Sequence, residues 1–172
     1  MPIYALGDQQ PRIDPSAYVH PDAVVIGHVE VGPESSIWPG AVLRGDDGGI
    51  TVGARTSVQD GTVVHTTALF PTRIGSECVV GHMVHLEGCT IHDGALVGSG
   101  SVVLHDAQVR TGAIVGANAV VPNGMEVPSG AMALGVPAKL RLDAVDPEQI
   151  ARGVEFYVAR GKRYAAELRR ID

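Results

Sequence analysis

The 172-residue sequence predicts an all-β fold, a parallel β-helix of six-residue repeats that is closed by one C-terminal α-helix. Apolar residues recur every six positions along most of the chain, and an amphipathic helical pattern follows the last repeat. Aromatic residues make up only 4% of the chain, whereas glycine occurs 22 times. A narrow interior that admits one aliphatic side chain per step fits this composition better than a layered core, in which aromatic rings usually contribute much of the buried area.

The six-residue period is clearest in the second half of the chain. Eight apolar residues follow one register there: Ile91, Val97, Val103, Val109, Val115, Val121, Val127 and Ala133. A step of six matches neither the 3.6-residue period of a helix nor the two-residue alternation of a strand. It matches a triangular coil in which each side is one hexapeptide, one aliphatic side chain points inward, and glycine or small residues allow the corners to turn.

The first half of the chain keeps the same step with interruptions. The residues in this register are Ile13, Val19, Val31, Ile37, Leu43, Val52, Val58, Val64, Ile74, Val80 and Leu86. Residues 45–49 and 66–72 break the register, so we expect both segments to bulge out of the coil. The step from Leu86 to Ile91 is one residue short, which predicts a shortened corner.

The repeats end before an exit turn at residues 135–139, and the pattern then becomes helical. Asp146 is a predicted N-cap, with Pro147 at the first helical position and Gln149 three residues after the cap. We expect the helix to run to about Arg170. The residues predicted to face the coil are Ile150, Val154, Tyr157, Val158, Gly161, Tyr164, Ala165 and Leu168. Residues 1–140 would form the β-helix and residues 141–172 the packed helix of a single domain.

Composition and charge argue against several classes of partner. A formal net charge of −6, with no basic cluster before the last dozen residues, argues against nucleic acid. The apolar runs are much shorter than the ~20 residues needed to cross a membrane. Residues 1–6 do not resemble a secretory signal. Cys78 and Cys89 fit no metal or redox spacing, so we expect buried thiols in the reducing cytoplasm.

Several histidines and one glutamate fall close together when the chain is wound into coils. We define face A, face B and face C of the coil by the inward residues Val52, Val58 and Val64. His65 and Glu87 then occupy the same outward position on adjacent coils of face C, about one strand spacing apart. The other two candidate residues near this corner are His82 and His85, whereas His20, His28, His92 and His105 are expected to be solvated. Imidazole and carboxylate groups within reach of one another suggest a transition-metal site.

Several segments resemble the γ-class carbonic anhydrase family. They are residues 35–46 (Ser-Ser-Ile-Trp-Pro-Gly-Ala-Val-Leu-Arg-Gly-Asp), 58–61 leading to His65, and 81–82 leading to 88–90. The similarity covers nearly the whole chain, including the exit turn and the terminal helix. The resemblance implies a left-handed β-helix and a homotrimer in which zinc lies at each subunit interface. Two ligands would come from one subunit and the third from its neighbour.

The resemblance also identifies the candidate metal ligands. His65 and His82 match two of the family's three histidine ligands, whereas the third position is Glu87. Glu87 could complete a set of two histidines and one carboxylate, which is a known zinc arrangement. Alternatively, His85 supplies the third imidazole and Glu87 orients it, or metal binding has been lost and only the scaffold remains. Zn²⁺ is the expected metal, with Fe²⁺ or Co²⁺ as alternatives.

Other residues match positions that surround the metal in the family. Gln59 would hydrogen-bond the bound water or bicarbonate, and Tyr157 resembles a helix tyrosine that reaches the site, with Tyr164 as the alternative. Arg44 and Asp46 resemble an intersubunit pair that lines the interface, and Asp60 is expected to have a structural role in the same network. The sequence departs from the family at two points. Ser57 replaces an active-site asparagine. The family's proton-shuttling glutamates have no clear equivalents, since Asp47 stands at one such position and residues 66–72 contain no carboxylate.

The resemblance therefore implies a lyase that reversibly hydrates CO₂ to bicarbonate through a metal-bound hydroxide, with weak turnover because of these departures. One alternative is a hexapeptide acyltransferase that uses acetyl-CoA and a histidine base. Those enzymes generally carry a long excursion loop, and both loops here are short. Another alternative is a non-catalytic scaffold or binding protein that has kept the trimer. The fold alone cannot distinguish these functions, because function depends on the site.

Overall fold

The structure is a computed structural model that describes residues 2–172. The chain winds into a parallel β-helix of about seven turns and ends in a single α-helix, so the predicted fold class is confirmed. Most strands are only two or three residues long, because each hexapeptide forms one side of a coil and then turns. No helix within the described residues is long and apolar enough to span a membrane.

The strands are numbered along the chain. The first seven are β1 (Ile3–Tyr4), β2 (Arg12–Ile13), β3 (Tyr18–Val19), β4 (Val24–Val31), β5 (Ser36–Ile37), β6 (Val42–Val52) and β7 (Ser57–Val58). The next seven are β8 (Val63–His65), β9 (Thr72–Ile74), β10 (Val79–Val80), β11 (His85–Glu87), β12 (Thr90–Ile91), β13 (Leu96–Val97) and β14 (Val102–Val103). The last elements are β15 (Gln108–Val109), β16 (Ile114–Val115), β17 (Val120–Val121), β18 (Glu126–Val127), β19 (Met132–Leu134), β20 (Lys139–Arg141) and α1 (Pro147–Glu167).

Successive strands stack in parallel on the three predicted faces. Face B consists of β3, β5, β7, β10, β13, β16 and β19, and β20 adds an antiparallel edge. Face C contains the first halves of β4 and β6, followed by β8, β11, β14 and β17. Face A contains β2, the second halves of β4 and β6, and then β9, β12, β15 and β18. The edge strands β1 and β20 lie outside the hexapeptide register and were not predicted.

The interior is a column of aliphatic side chains, as the repeat predicted. On face C the backbone register places Val64, Leu86 and Val103 directly above one another, and all three are fully buried. Removing each such side chain from water contributes about 1.5–3 kcal/mol of stabilisation. Cys78 and Cys89 are also buried, as predicted, and burial raises the pKa of their thiols to about 11 and about 12.

Both predicted excursions are present. In the pair formed by β4 and β6, Gly27 is opposite Gly45 but Val29 is opposite Ile50, so residues 46–49 bulge opposite the single residue His28. The second excursion joins β8 to β9 as a loop at residues 66–71. Its conformation is held in part by the Thr66 hydroxyl, which donates a 2.9 Å hydrogen bond to the carbonyl of Phe70. Both segments lie next to the end of β8, where His65 is located.

Helix α1 packs across face B. Its predicted N-cap is confirmed, because the Asp146 carboxylate accepts a 3.0 Å hydrogen bond from the backbone N–H of Glu148. The helix buries Ile150, Val154 and Val158 against the outward apolar residues of β10 and β16.

The predicted end of the helix was wrong, because α1 stops at Glu167 rather than near Arg170. Ala165 and Leu168, which were expected to pack on the coil, are exposed. Gly161 already lies over β3, the last strand of that sheet, so there is no strand beyond it for these side chains to pack against.

Candidate functional site

Glu87 is the centre of a cluster of imidazole groups on face C. Its Oε1 atom lies 3.0 Å from Nδ1 of His65, which is the neighbouring residue in the register of β8 and β11. Its Oε2 atom lies 3.2 Å from Nε2 of His85, two residues earlier on the same outward side of β11. Nε2 of His105 is 3.6 Å from Oε1. Three imidazoles therefore surround one carboxylate within a single chain.

The ring of His65 lies between two carboxylates. Its Nε2 atom is 3.3 Å from Oδ1 of Asp46, which comes from the bulge in β6, while its Nδ1 atom faces Glu87. Asp46 is also paired with the guanidinium of Arg44. Arg44 and Asp46 therefore contact each other within one chain, and Asp46 also touches a candidate metal ligand.

His82 is held apart from this cluster, at the corner between face B and face C. Its Nδ1 atom donates a 2.9 Å hydrogen bond to Oδ2 of Asp60, and both side chains are about half exposed. Because Asp60 occupies Nδ1, the Nε2 atom keeps its lone pair for a ligand. Among the described residues, Asp60 is the only carboxylate within 4 Å of the His82 ring nitrogens, so His82 does not pair with Glu87.

Gln59 and Tyr157 meet at the same corner. Gln59 is 3% exposed and lies next to Tyr157, which projects from α1. Burial raises the pKa of Tyr157, and the charge of Asp60 adds to this shift, whereas the charge of Arg160 and the neighbouring Gln59 side chain oppose it. Tyr157 therefore keeps its proton at neutral pH and can donate a hydrogen bond.

The alternative tyrosine, Tyr164, lies elsewhere. Its ring packs edge-to-face on Trp38 with centroids 5.1 Å apart, and on Tyr18 at 6.0 Å. The indole N–H of Trp38 is shared between the hydroxyls of Ser36 and Ser57, each at 2.9 Å. Ser57, which stands where the family has asparagine, is therefore part of the packing beneath α1.

Electrostatics favour the ionised form of the central carboxylates. The hydrogen bond from His65 lowers the pKa of Glu87; burial opposes the shift, and His85 and the charge of His105 add to it. Burial acts to raise the pKa of Asp46. The hydrogen bonds that its carboxylate accepts from Arg44 and from a backbone N–H have the larger combined effect, so this pKa is also lowered. Both groups are anionic at neutral pH and can accept hydrogen bonds or bind a cation.

Within the described part of one chain, face C does not offer a complete set of ligands for a metal ion. Among residues 2–172, no three His, Cys, Asp or Glu side chains are arranged to hold an ion together. His65 and Glu87 provide two donor atoms 3.0 Å apart, close to the ~3.4 Å expected between two tetrahedral zinc ligands with bonds of about 2.1 Å. The chain thus presents a ligand pair on face C and a separate imidazole at His82.

His105 was expected to be a solvated surface residue, and this holds only in part, since its side chain is 32% exposed. Its Nε2 atom is buried, because Phe70 from the 66–71 loop stacks on its ring with centroids 5.5 Å apart. The sequence does carry a signal for this position. His105 lies two residues after the inward Val103, as Gly88 lies two after Leu86, so it sits one coil above Gly88 and beside Glu87.

Comparison with known proteins identifies the family. A profile described as bacterial transferase hexapeptide (six repeats) matches residues 88–123. The chain is 40% identical over 166 residues to the carbonic anhydrase of Geobacillus kaustophilus, a match that covers 95% of this chain and 91% of that protein. It belongs to the γ-carbonic-anhydrase-like family of hexapeptide-repeat proteins.

Other members of the γ-carbonic-anhydrase-like family and related structures agree with this assignment. The chain is 38% identical over 168 residues to mitochondrial gamma carbonic anhydrase 2 of Arabidopsis thaliana, covering 93% of this chain but only 60% of that longer protein. The crystal structure of a hexapeptide transferase family protein from Anaplasma phagocytophilum superimposes with a TM-score of 0.91 at 34% identity, covering 95% of this chain and 98% of that one.

Proposed function

We propose that the protein is a metal-dependent carbonic-anhydrase-like lyase that reversibly hydrates CO₂, with each metal site shared between two copies in a homotrimer. Family membership supports this proposal, and one observation carries it. His65 and His82 each have one ring nitrogen next to an aspartate, Asp46 at 3.3 Å and Asp60 at 2.9 Å. Histidine ligands of metals almost always have such a partner on the nitrogen that does not bind the ion.

The proposed ligands are His65 and Glu87 of one copy and His82 of a second copy. Two imidazoles and one carboxylate are a known zinc set, and the same donors are suited to Fe²⁺ or Co²⁺. Sharing the site between copies explains why His82 lies at an exposed corner with a free Nε2 atom, away from Glu87. The alternative ligand His85 contacts only Glu87 and, unlike His65 and His82, has no aspartate partner among the described residues, so we assign it to holding Oε2 of that carboxylate.

A zinc ion held by these residues would supply a nucleophile at neutral pH, because zinc lowers the pKa of a bound water to about 7. Since a carboxylate ligand donates more charge than an imidazole, we expect weaker hydration activity near pH 7 than from three histidines. Gln59 would orient the water or bicarbonate through its amide. Tyr157 would hold that amide in place, since it remains protonated and adjoins both Gln59 and Asp60.

The outer surface of the coil supports self-association through face C. Face B is covered by α1, and face A presents polar outward side chains such as Thr51, Arg73 and Gln108. On face C, by contrast, one outward row is apolar except at His85. Its members are Val24, Val42, Val63, His85, Val102 and Val120. All are partly or fully accessible in one chain, and Val63 is 38% exposed.

The test is the metal content of protein purified without added metal, with CO₂ hydration assayed on the same samples. We expect about one ion per chain in the wild type, and loss of both metal and hydration in His65→Ala. A His92→Phe variant, which removes a histidine on face A, should retain both. Metal without hydration would contradict the assigned reaction, and acetyl transfer from acetyl-CoA should then be assayed. No metal after reloading with zinc or iron would contradict the enzyme proposal and favour the scaffold alternative.

A further inference from the structure

His105 has a buried ring nitrogen, Nε2, that has no role in the metal site proposed above. The Nε2 atom makes no hydrogen bond to any of residues 2–172. A buried polar atom without a partner is unfavourable, so native proteins rarely retain one without a reason. Among the described residues, the one ionised group within 4 Å of it is the carboxylate of Glu87, whose Oε1 atom is 3.6 Å away. That distance is just beyond an ordinary hydrogen bond.

The ring of His105 is fixed in this orientation by its neighbours. Phe70 stacks on it with an interplanar angle of 28°. On the adjacent coil, Gly88 leaves room for both rings: a Cβ atom there would lie 2.6 Å from Cβ of Phe70 and 2.7 Å from Cδ2 of His105. Gly88 also has a φ of +63°, a conformation that favours glycine. The 66–71 loop and the corner at Gly88 thus direct Nε2 of His105 towards Glu87.

Glu87 has a greater need for positioning than a histidine would have in its place. A glutamate side chain has more rotatable bonds than histidine, so an unrestrained carboxylate would lose more freedom on binding a metal. His85 restrains only Oε2, at 3.2 Å, and Oε1 is the atom that faces the second proposed ligand, His65. A donor next to Oε1 would fix the rotation of the carboxylate.

We infer that His105 is a positioning residue for Glu87: its buried Nε2–H, braced by Phe70, restrains the carboxylate at the metal site without binding the metal. This inference rests on the proposed metal site and adds to it a residue outside the ligand set. It also gives the 66–71 loop a function, since Phe70 holds the ring of His105 in place.

The test compares two substitutions of His105 in the full-length protein. His105→Phe keeps a ring that can stack on Phe70 but removes the donor, whereas His105→Gln keeps an N–H donor. Zinc affinity is measured by competition with a chelator, and the ligand set is monitored by the visible absorption of the Co²⁺-loaded protein. We expect His105→Phe to weaken zinc binding about 10-fold, with His105→Gln within about threefold of the wild type. The Co²⁺ bands should keep their positions in both.

The controls separate this inference from the proposed function. His92→Phe should leave affinity unchanged, and thermal unfolding should show that every variant is folded. Wild-type affinity in His105→Phe would overturn the positioning role, provided that His65→Ala still loses the metal. Altered Co²⁺ bands in His105→Phe would also overturn it, because they would make His105 a ligand. A wild-type protein that binds neither zinc nor Co²⁺ would overturn both the inference and the proposed function.

Discussion

At the scale of single residues, the site depends on which nitrogen of each histidine is already engaged. Asp60 holds Nδ1 of His82, and Asp46 lies next to Nε2 of His65, so each ring is oriented before any metal binds. Such partners orient the ring and raise the basicity of the free nitrogen. The two aspartates, predicted only as interface or structural residues, therefore have a direct structural relation to the proposed ligands.

Replacing Asp60 tests this relation. We expect Asp60→Ala to weaken zinc binding by about 10-fold, because His82 loses the acceptor that fixes its ring and tautomer. Asp60→Asn should have a smaller effect, since the amide oxygen can still accept the hydrogen bond. Asp22→Ala is a matched control, because Asp22 lies 3.8 Å from His20, away from the cluster. Competition with a chelator measures the zinc affinity of all three variants. Equal zinc affinity in Asp60→Ala and the wild type would contradict the proposal that Asp60 orients His82 for metal binding.

At the scale of elements, α1 is held on the coil by an apolar strip and by ion pairs. Arg55, at a corner of the coil, reaches Glu155 of the helix, and Lys162 of the helix pairs with Glu34. The hydrogen bond with Lys162 lowers the pKa of Glu34, and the charge of that lysine and of Arg55 adds to the shift. Because Tyr157 is carried by α1, these contacts also help to fix it beside Gln59.

The lowered pKa of Glu34 predicts a pH dependence. A carboxyl group with a lower pKa in the folded state stabilises the protein above its unfolded pKa of about 4.3, and this contribution is lost as pH falls through the folded pKa. Glu34→Gln should therefore be less stable than the wild type at pH 7 and indistinguishable from it near pH 3. Urea unfolding at both pH values measures this difference. Glu167→Gln, which removes a pair within the helix, is the control. A difference in the free energy of unfolding between Glu34→Gln and the wild type that persists near pH 3 would contradict the prediction.

The elements also show how far sequence reasoning reaches. The six-residue register placed Val64, Leu86 and Val103 correctly, and with them the adjacency of His65 and Glu87, because inward and outward positions follow directly from the repeat. It did not predict that the Nε2 atom of His105 is buried, since that depends on where the irregular 66–71 loop places Phe70. The end of α1 was also missed, because it depends on where the coil ends rather than on helical periodicity.

At the scale of the whole molecule, the three faces of the prism differ in their cover. The helix covers face B, polar side chains are solvated on face A, and the row of valines on face C is covered by no helix among residues 2–172. The candidate ligands His65 and Glu87 lie on face C, and His82 lies at its corner. The apolar row and the ligand residues therefore favour assembly through the same surface.

Charging the apolar row tests this mode of assembly. Val63→Glu introduces a carboxylate at its centre, and we expect the variant to be monomeric and to lose bound metal. Thr51 points outward from face A, so Thr51→Glu should leave both the molar mass of the assembly and its metal content unchanged. Light scattering coupled to size-exclusion chromatography measures the mass. A trimeric Val63→Glu protein would show that face C is not the interface.

The central claim is that one copy supplies His65 and Glu87 and another copy supplies His82. The most direct test combines two variants that are each expected to bind no metal, His65→Ala and His82→Ala. The two are co-expressed with different affinity tags, and hybrid trimers are purified through both tags in turn. Each hybrid trimer then contains one interface at which all three ligands are intact. We predict a single metal ion per hybrid trimer and none in either parent. Hybrid trimers without metal, or parents that retain it, would contradict a site shared between copies.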